Sequence, residues 1–108
     1  MKKGIGEYLR ELRKSEGFTL TQMGAKLGMD SGALSKIENG KRILDAGYLP
    51  IVAQVFNLDL EILKTEFFAE KIANELIENS CNESTLRLAE EKIKYIKVKT
   101  AEHTKLEI

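Results

Sequence analysis

The sequence predicts an all-α protein, with one compact domain and room for at most a short appended element. Three observations carry this prediction. The chain has 108 residues, near the commonest size of a single domain. Its apolar residues recur at steps of three and four, and no segment shows the alternation of a strand. Finally, 31% charged and 43% hydrophobic residues with a single proline suit a folded helical globule.

Several function classes are excluded or disfavoured by composition. No run of 18 apolar residues exists, and Met1-Lys2-Lys3 leads into a charged segment, so we expect a cytoplasmic protein without membrane contact. Cys81 and His103 each stand alone, which argues against a disulfide or a metal site. The carboxylates are scattered and read as solvated helix faces, so we expect no enzyme, no cofactor and no evident small-molecule ligand.

The formal net charge of zero hides an uneven distribution. Residues 1–42 carry nine basic against five acidic side chains, a net charge of +4. Residues 43–79 carry two against seven, or −5, and residues 80–108 carry six against five, or +1. Because a partner responds to the local charge, the basic first part permits a polyanion partner, although a merely solvated surface fits equally well.

The first three helices are short and end at recognisable signals. Helix one has its apolar stripe at Ile5, Tyr8, Leu9 and Leu12 and stops at Gly17. Thr19 with Gln22 predicts a capping box for helix two, which Gly28 ends. Asp30 is the predicted cap of helix three, which buries Leu34 and Ile37 and stops at Asn39-Gly40.

The three-residue connection Gly28-Met29-Asp30 favours a steep crossing of helices two and three, as in a helix-turn-helix. Gly24 supports this, because it is a poor helix former at a position where a side chain would face the crossing. The alternative is an ordinary helical hairpin buried in a bundle.

Three further helices complete the predicted fold. The fourth spans Tyr48 to Phe56 with Pro50 in its first turn, and Asn57 replaces a stop glycine. The fifth opens at Leu58-Asp59-Leu60 and runs to about Asn79. After a break, Leu86, Ala89, Ile93 and Ile96 form a heptad stripe, and the chain is expected to fray from Lys99.

The segment from Thr19 to Arg42 resembles the helix-turn-helix of Xre/Cro-type bacterial and phage regulators. The resemblance rests on Met23-x3-Leu27-Gly28-Met29-x4-Leu34-x2-Ile37-Glu38-Asn39-Gly40-Lys41-Arg42, and on Tyr48 to Ala53 as the fourth helix. It covers residues 5 to about 64 and implies a five-helix, lambda-repressor-like domain, here with an extended fifth helix and one further helix. It also implies that helix three enters the major groove of double-stranded DNA and that a dimer reads a two-fold-related operator.

Site residues follow from this placement. The residues expected to meet bases lie at the start of helix three: Ser31, Gly32, Ser35 and Lys36 form its outward face, and Ala33, although counted among the inward residues, could touch a thymine methyl. Those expected to contact phosphates stand at helix ends: Thr19, Thr21, Gln22, Asn39, Lys41 and Arg42. Leu20 stands where the family often has Gln, which puts one phosphate contact in doubt. Glu38 is expected to brace the fold, through an arginine of helix one, since a carboxylate would repel DNA.

The C-terminal part carries more apolar surface than a minimal regulator needs. The expected dimer interface comprises Phe67, Phe68, Ile72, Leu76, Leu86, Ala89, Ile93 and Ile96. We expect helices five and six to pack together and present part of this surface to a second subunit; the alternative is a monomer that buries both stripes. The predicted organisation is a DNA-binding domain at 1–64, a dimerisation extension at 65–98 and a frayed tail at 99–108.

The function predicted from these features is a homodimeric, sequence-specific transcriptional regulator without a catalytic role. Its small size resembles restriction-modification controller proteins, small phage repressors and antitoxins, and we favour the controller type. In the antitoxin alternative, the C-terminal stripes bind a toxin protein.

Overall fold

The computed structural model describes residues 4–107, and side chains for residues 4–101. Lys2 and Lys3 of the basic first part, and the side chain of His103, lie outside this range. Within it the protein is helical without strands, which confirms the all-α prediction. The helices are α1 Ile5–Ser15, α2 Leu20–Leu27, α3 Ser31–Glu38, α4 Leu49–Phe56, α5 Leu60–Glu78 and α6 Glu83–Glu107, with a 3₁₀ turn at Ala46–Tyr48.

The chain divides into two compact units, one ending at Lys71 and one beginning at Ile72. The first unit has a single apolar core to which all five of its helices contribute. Its buried members are Leu9, Met23, Leu27, Leu34, Ile37, Leu44, Leu49, Val52, Ala53, Leu63 and Phe67. Burial of this set holds the short helices together, because helices of 8 residues are not stable alone in water.

The predicted helix signals are confirmed where they are local. Thr19 and Gln22 form a capping box: the Gln22 amide donates to Thr19 Oγ1 at 3.0 Å, and the Thr19 amide donates to Gln22 Oε1 at 2.9 Å. Asp30 caps α3. Asn57 ends α4 in the left-handed conformation, with φ 52°.

Two glycines allow close backbone approaches in the first unit. A Cβ on Gly24 would lie 2.5 Å from the carbonyl oxygen of Met29 in the α2–α3 turn, which confirms that this position faces the crossing. A Cβ on Gly6 would collide with the carbonyl of Ile37 at the end of α3. Both positions therefore exclude larger residues for a steric reason.

Some predicted boundaries are corrected. Tyr48 belongs to the 3₁₀ turn, whose cap is Asp45, so α4 begins at Leu49. The first compact unit extends past 64 because Phe67 packs into the core. The backbone of α6 is helical through Glu107, and the fraying expected from Lys99 stays a prediction.

The second unit presents its apolar residues to the outside. All described side chains from 81 to 101 are exposed, among them Leu86 at 43%, Ile93 at 53% and Ile96 at 60%. The homodimer and the monomer that buries both stripes both stay predictions. Among the described residues, no helix has the length and apolar character needed to cross a bilayer.

Candidate nucleic-acid interface

Helix α3 presents a small polar face that runs from Ser31 to Lys36 in its last turn. Asp30 Oδ2 accepts hydrogen bonds from the amides of Gly32 at 3.1 Å and Ala33 at 3.3 Å, which fixes the first turn. The predicted base-reading residues share this helix: Gly32 and Lys36 are exposed, whereas Ser31, Ala33 and Ser35 are half-buried. Leu34 and Ile37 anchor the opposite face in the core. The arrangement leaves a lysine ammonium and serine hydroxyls as the groups able to meet base edges.

Glu38 holds the end of α3 against α1. Arg13 donates to it in a bidentate pair, Nε to Oε2 and Nη2 to Oε1, both at 2.9 Å. Arg10 Nε adds a contact to Oε1 at 3.5 Å. The Glu38 side chain is only 1% exposed. The prediction that Glu38 braces the fold through an arginine of helix one is thus confirmed, with two arginines.

Arg13 is itself fixed at a second point, since its Nη1 donates to the carbonyl of Phe18 at 3.1 Å. Hydrogen bonding to Glu38 raises the pKa of Arg13, outweighing the opposite effect of desolvation. A carboxylate at a helix C-terminus faces the negative end of the helix dipole. The two arginines therefore provide the positive charge that this buried carboxylate needs.

Asn39, a predicted phosphate contact, is exposed, and its side chain is bonded to other groups of the protein. Its Nδ2 donates to the carbonyl of Ser35 at 2.9 Å, and its Oδ1 accepts from Arg10 Nη2. The side chain thus links the end of α3 to α1. A direct contact to DNA through the same atoms would compete with these bonds.

Lys41 and Arg42 follow α3 in an exposed loop. Gly40 adopts φ 74° and lets the Lys41 amide reach back to the carbonyl of Lys36 at 2.8 Å, which sets the exit direction of the chain. Leu44, only 1% exposed, anchors the far end of the loop. The two cations are consequently held near the end of α3 by backbone geometry.

The start of α2 supplies the other predicted phosphate contacts. Thr19, Thr21 and Gln22 are all exposed there. The capping box uses the Gln22 side-chain oxygen as an acceptor, so its amide nitrogen is the group suited to donate to a phosphate. A helix N-terminus favours an anion through its free amides and dipole.

Sequence reasoning missed two features around these segments. Ile43 is 81% exposed between Arg42 and the buried Leu44, and in a loop without helical periodicity the sequence does not show which of the two apolar neighbours is buried. Lys26 Nζ lies 5.0 Å from the ring centroid of Phe18, which in turn packs against Phe56. Phe18 is not one helical turn from Lys26 or from Phe56 in the sequence, so helical spacing reveals neither contact.

Phe67 was predicted at the dimer interface, and this assignment is corrected. The side chain is 4% exposed and belongs to the core of the first unit. Phe68, whose ring meets that of Phe67 edge-on, is 39% exposed and remains available at the surface. Ile72 is exposed and Leu76 is half-buried.

A protein-family model described as helix-turn-helix matches residues 9–63. The "ImmF control region 10 kDa protein" of Bacillus phage phi105 is 37% identical over 62 residues, which cover 57% of this chain and 69% of that protein. The chain belongs to the Xre-like helix-turn-helix family of DNA-binding transcriptional regulators. The match coincides with the part of the chain that carries the predicted resemblance.

Other relatives match over a shorter segment or at lower sequence identity. The HTH-type transcriptional regulator RghRB of Bacillus subtilis (strain 168) is 49% identical over 38 residues, 35% of this chain and 27% of that protein. The crystal structure of SinR, described as the master regulator for biofilm formation, in complex with DNA has a TM-score of 0.48 at 26% identity, over 53% of this chain and 92% of that one. A SinR/SinI complex has a TM-score of 0.49 at 22% identity, over 87% and 98%.

Proposed function

We propose that this chain regulates transcription by binding a two-fold-related DNA operator as a homodimer, with α3 of each subunit in the major groove. The observation that carries the proposal is the outward face of α3, capped by Asp30 at one end and held by the buried Glu38 pairs at the other. A polar face on a rigidly held helix can discriminate base edges, because its hydrogen bonds to the bases are lost when the helix tilts.

The chemistry of this face suits moderate base discrimination. Lys36 can donate to the acceptors of guanine, and Ser35 can donate or accept with several bases. No arginine or glutamine stands on α3, so no bidentate contact from this helix sharpens the reading. We therefore propose that specificity combines Lys36 with water-mediated contacts and DNA shape.

The biological class within this family is also a proposal. The relative from a phage control region supports a small phage-type regulator, and the restriction-modification controller stays the other regulator class that we consider. The exposed apolar side chains of α6 support an antitoxin as a second candidate, because a toxin protein could cover them. Copurification of a second small protein favours the antitoxin; a homodimer that binds DNA unaided favours the regulator.

Lys36→Ala tests the role of α3. We expect the variant to lose specific affinity, by about 1–3 kcal/mol per lost base contact, and to relax preference at one position of each half-site. Preferred duplexes are first selected from a random pool with the native protein, and the selection is then repeated with the variant. Lys14→Ala, an exposed lysine of α1, is the matched control. Equal losses on selected and random duplexes would reduce Lys36 to a phosphate contact.

Lys41→Ala and Arg42→Ala test the loop after α3. We expect each variant to bind all duplexes more weakly and to show a shallower dependence of log affinity on log salt concentration. The slope should fall by roughly one for each phosphate contact removed, because fewer counterions are released. Titrations at a series of salt concentrations measure it, again against Lys14→Ala. An unchanged slope would remove these two side chains from the interface.

A further inference from the structure

Helix α6 carries a stripe whose residues differ in size in a regular order. Leu86 and Ile93 occupy one heptad position, and Ala89 and Ile96 occupy the other. Leu86, Ile93 and Ile96 are each 43% to 60% exposed, and every described side chain of this helix is exposed. No other part of the described chain packs on the stripe. The sizes of its side chains and the charges beside it indicate which partner would fit it.

We propose that α6 pairs with α6 of a second copy in antiparallel orientation, with Leu86 against Ile96 of the second copy and Ala89 against Ile93 of the second copy. This deepens the proposed homodimer and rests on it. In this register all four stripe residues of each helix meet apolar residues, and the pair is symmetric about a point between Ala89 and Ile93.

Side-chain volume favours this orientation over a parallel one. A parallel pair in register would set Ala89 against Ala89 of the second copy and leave a gap between two bulkier layers. An antiparallel pair sets each alanine against an isoleucine, so small and large residues interdigitate. Close packing without voids is the arrangement that protein interiors adopt.

Charge favours the same orientation. Glu83, Glu90 and Lys97 flank the stripe on one side, and Lys92 and Lys99 flank it on the other. The antiparallel register brings Lys97 of each helix to Glu83 of the second copy, which gives two attractive pairs in addition to the exposed pair that Glu83 makes with Arg87 of its own helix at 3.4 Å. A parallel pair brings Lys97 to Lys92 of the second copy, which gives two repulsive pairs and no attractive one.

The like charges that remain in the antiparallel pair are few. Glu90 and Lys92 each face their own counterpart once across the symmetry axis, at positions where long side chains can diverge. Lys99 Nζ lies 5.7 Å from the ring centroid of Tyr95, and Tyr95 points away from the stripe. That contact draws the charge of Lys99 away from the interface.

Lys97→Glu separates the two orientations by the sign of its effect. In the antiparallel pair the variant sets two glutamates against each other twice, and we expect dimerisation to weaken about tenfold. In a parallel pair it would turn two repulsions into attractions and strengthen the dimer. Lys94→Glu makes the same change of net charge outside the stripe and the positions that flank it, and should leave the dimer within about twofold.

The charge exchange Glu83→Lys with Lys97→Glu should restore native dimerisation to within about threefold. Dissociation constants are measured by analytical ultracentrifugation of the full chain. A stronger dimer for Lys97→Glu, or an unchanged one, would overturn the antiparallel pairing while the homodimer stands. A native chain that stays monomeric would overturn the homodimer itself.

Cys81 provides an independent distance. It is exposed, is the sole cysteine of the chain, and lies two residues before α6. With a rise of about 1.5 Å per residue and a lateral helix–helix distance of about 10 Å, the antiparallel register places the two Cys81 residues about 30 Å apart, plus the label arms. A parallel pair would place them at roughly the helix–helix distance of about 10 Å, plus the label arms. A short distance in the native dimer would contradict the proposal.

Discussion

Glu38→Ala is expected to lower the free energy of unfolding by about 3–5 kcal/mol. The substitution removes the partner of a guanidinium that is largely buried and leaves Arg13 with an uncompensated charge, which is the costly way to break a buried pair. The Glu38 side chain is 1% exposed and that of Arg13 is 15% exposed, so water can replace little of what is lost. Denaturant unfolding followed by circular dichroism measures the change.

The matched control is the exposed pair of Glu61 and Lys64 on α5. Glu61 Oε1 and Lys64 Nζ lie 3.5 Å apart, and the two side chains are 80% and 46% exposed. Glu61→Ala should therefore lower the free energy of unfolding by less than about 0.5 kcal/mol. A double-mutant cycle with Arg13→Ala and Glu38→Ala isolates the coupling between the two groups. A loss for Glu38→Ala as small as that of Glu61→Ala would show that the brace contributes nothing to stability.

Glu38→Ala should also weaken specific DNA binding. Glu38 and the neighbouring Asn39 connect the end of α3 to two arginines of α1. Without the Glu38 contacts, the helix that carries Lys36 is held less firmly. Under conditions where the variant is folded, we expect Glu38→Ala to bind the selected duplex more weakly than the native protein. Phosphate contacts from the loop at Lys41 should persist, so binding to random duplexes should fall less.

Features set by neighbouring residues are the ones the sequence predicts well. The cap at Asp30, the capping box of Thr19 with Gln22 and the left-handed stop at Asn57 each involve groups within a few residues, so a pattern in the chain reports them directly. The crossing of α2 and α3 is likewise signalled by a short turn and a glycine at position 24.

Most contacts between distant residues are not predicted; the brace from Arg13 to Glu38 is an exception, inferred because a carboxylate would repel DNA. The approach of Gly6 to Ile37 and the bond from Arg10 to Asn39 join residues about 30 positions apart, for which one chain gives no signal. Phe67 was placed at the surface because it continues an apolar stripe, yet only the packed core shows that the stripe turns inward there. Periodicity locates a face of a helix and leaves open what that face contacts.

Removing the C-terminal helix is expected to reduce affinity for a paired operator by about 10²- to 10⁴-fold. A chain ending at Asn79 keeps the first compact unit and its core, so the helix-turn-helix should stay folded. What it loses is the stripe that we propose joins two subunits, and with it the high effective concentration of the second half-site. Without the stripe the shortened chain should be a weaker dimer, and the apolar side chains of Phe68 and Ile72, which remain exposed, could make it aggregate.

Ile93→Asp produces the same loss in the full chain if the stripe is the cause. Val98→Asp is its control, since Val98 lies on the same helix with 56% exposure against 53% for Ile93, but on the opposite side from the stripe. Sedimentation gives the oligomeric state, and titrations with single and paired half-sites give the gain from joining them. Only Ile93→Asp should abolish that gain, because Asp at position 93 buries a charge between two helices. A native chain that is monomeric at roughly tens of micromolar, and that binds one half-site as tightly as two, would contradict the dimer.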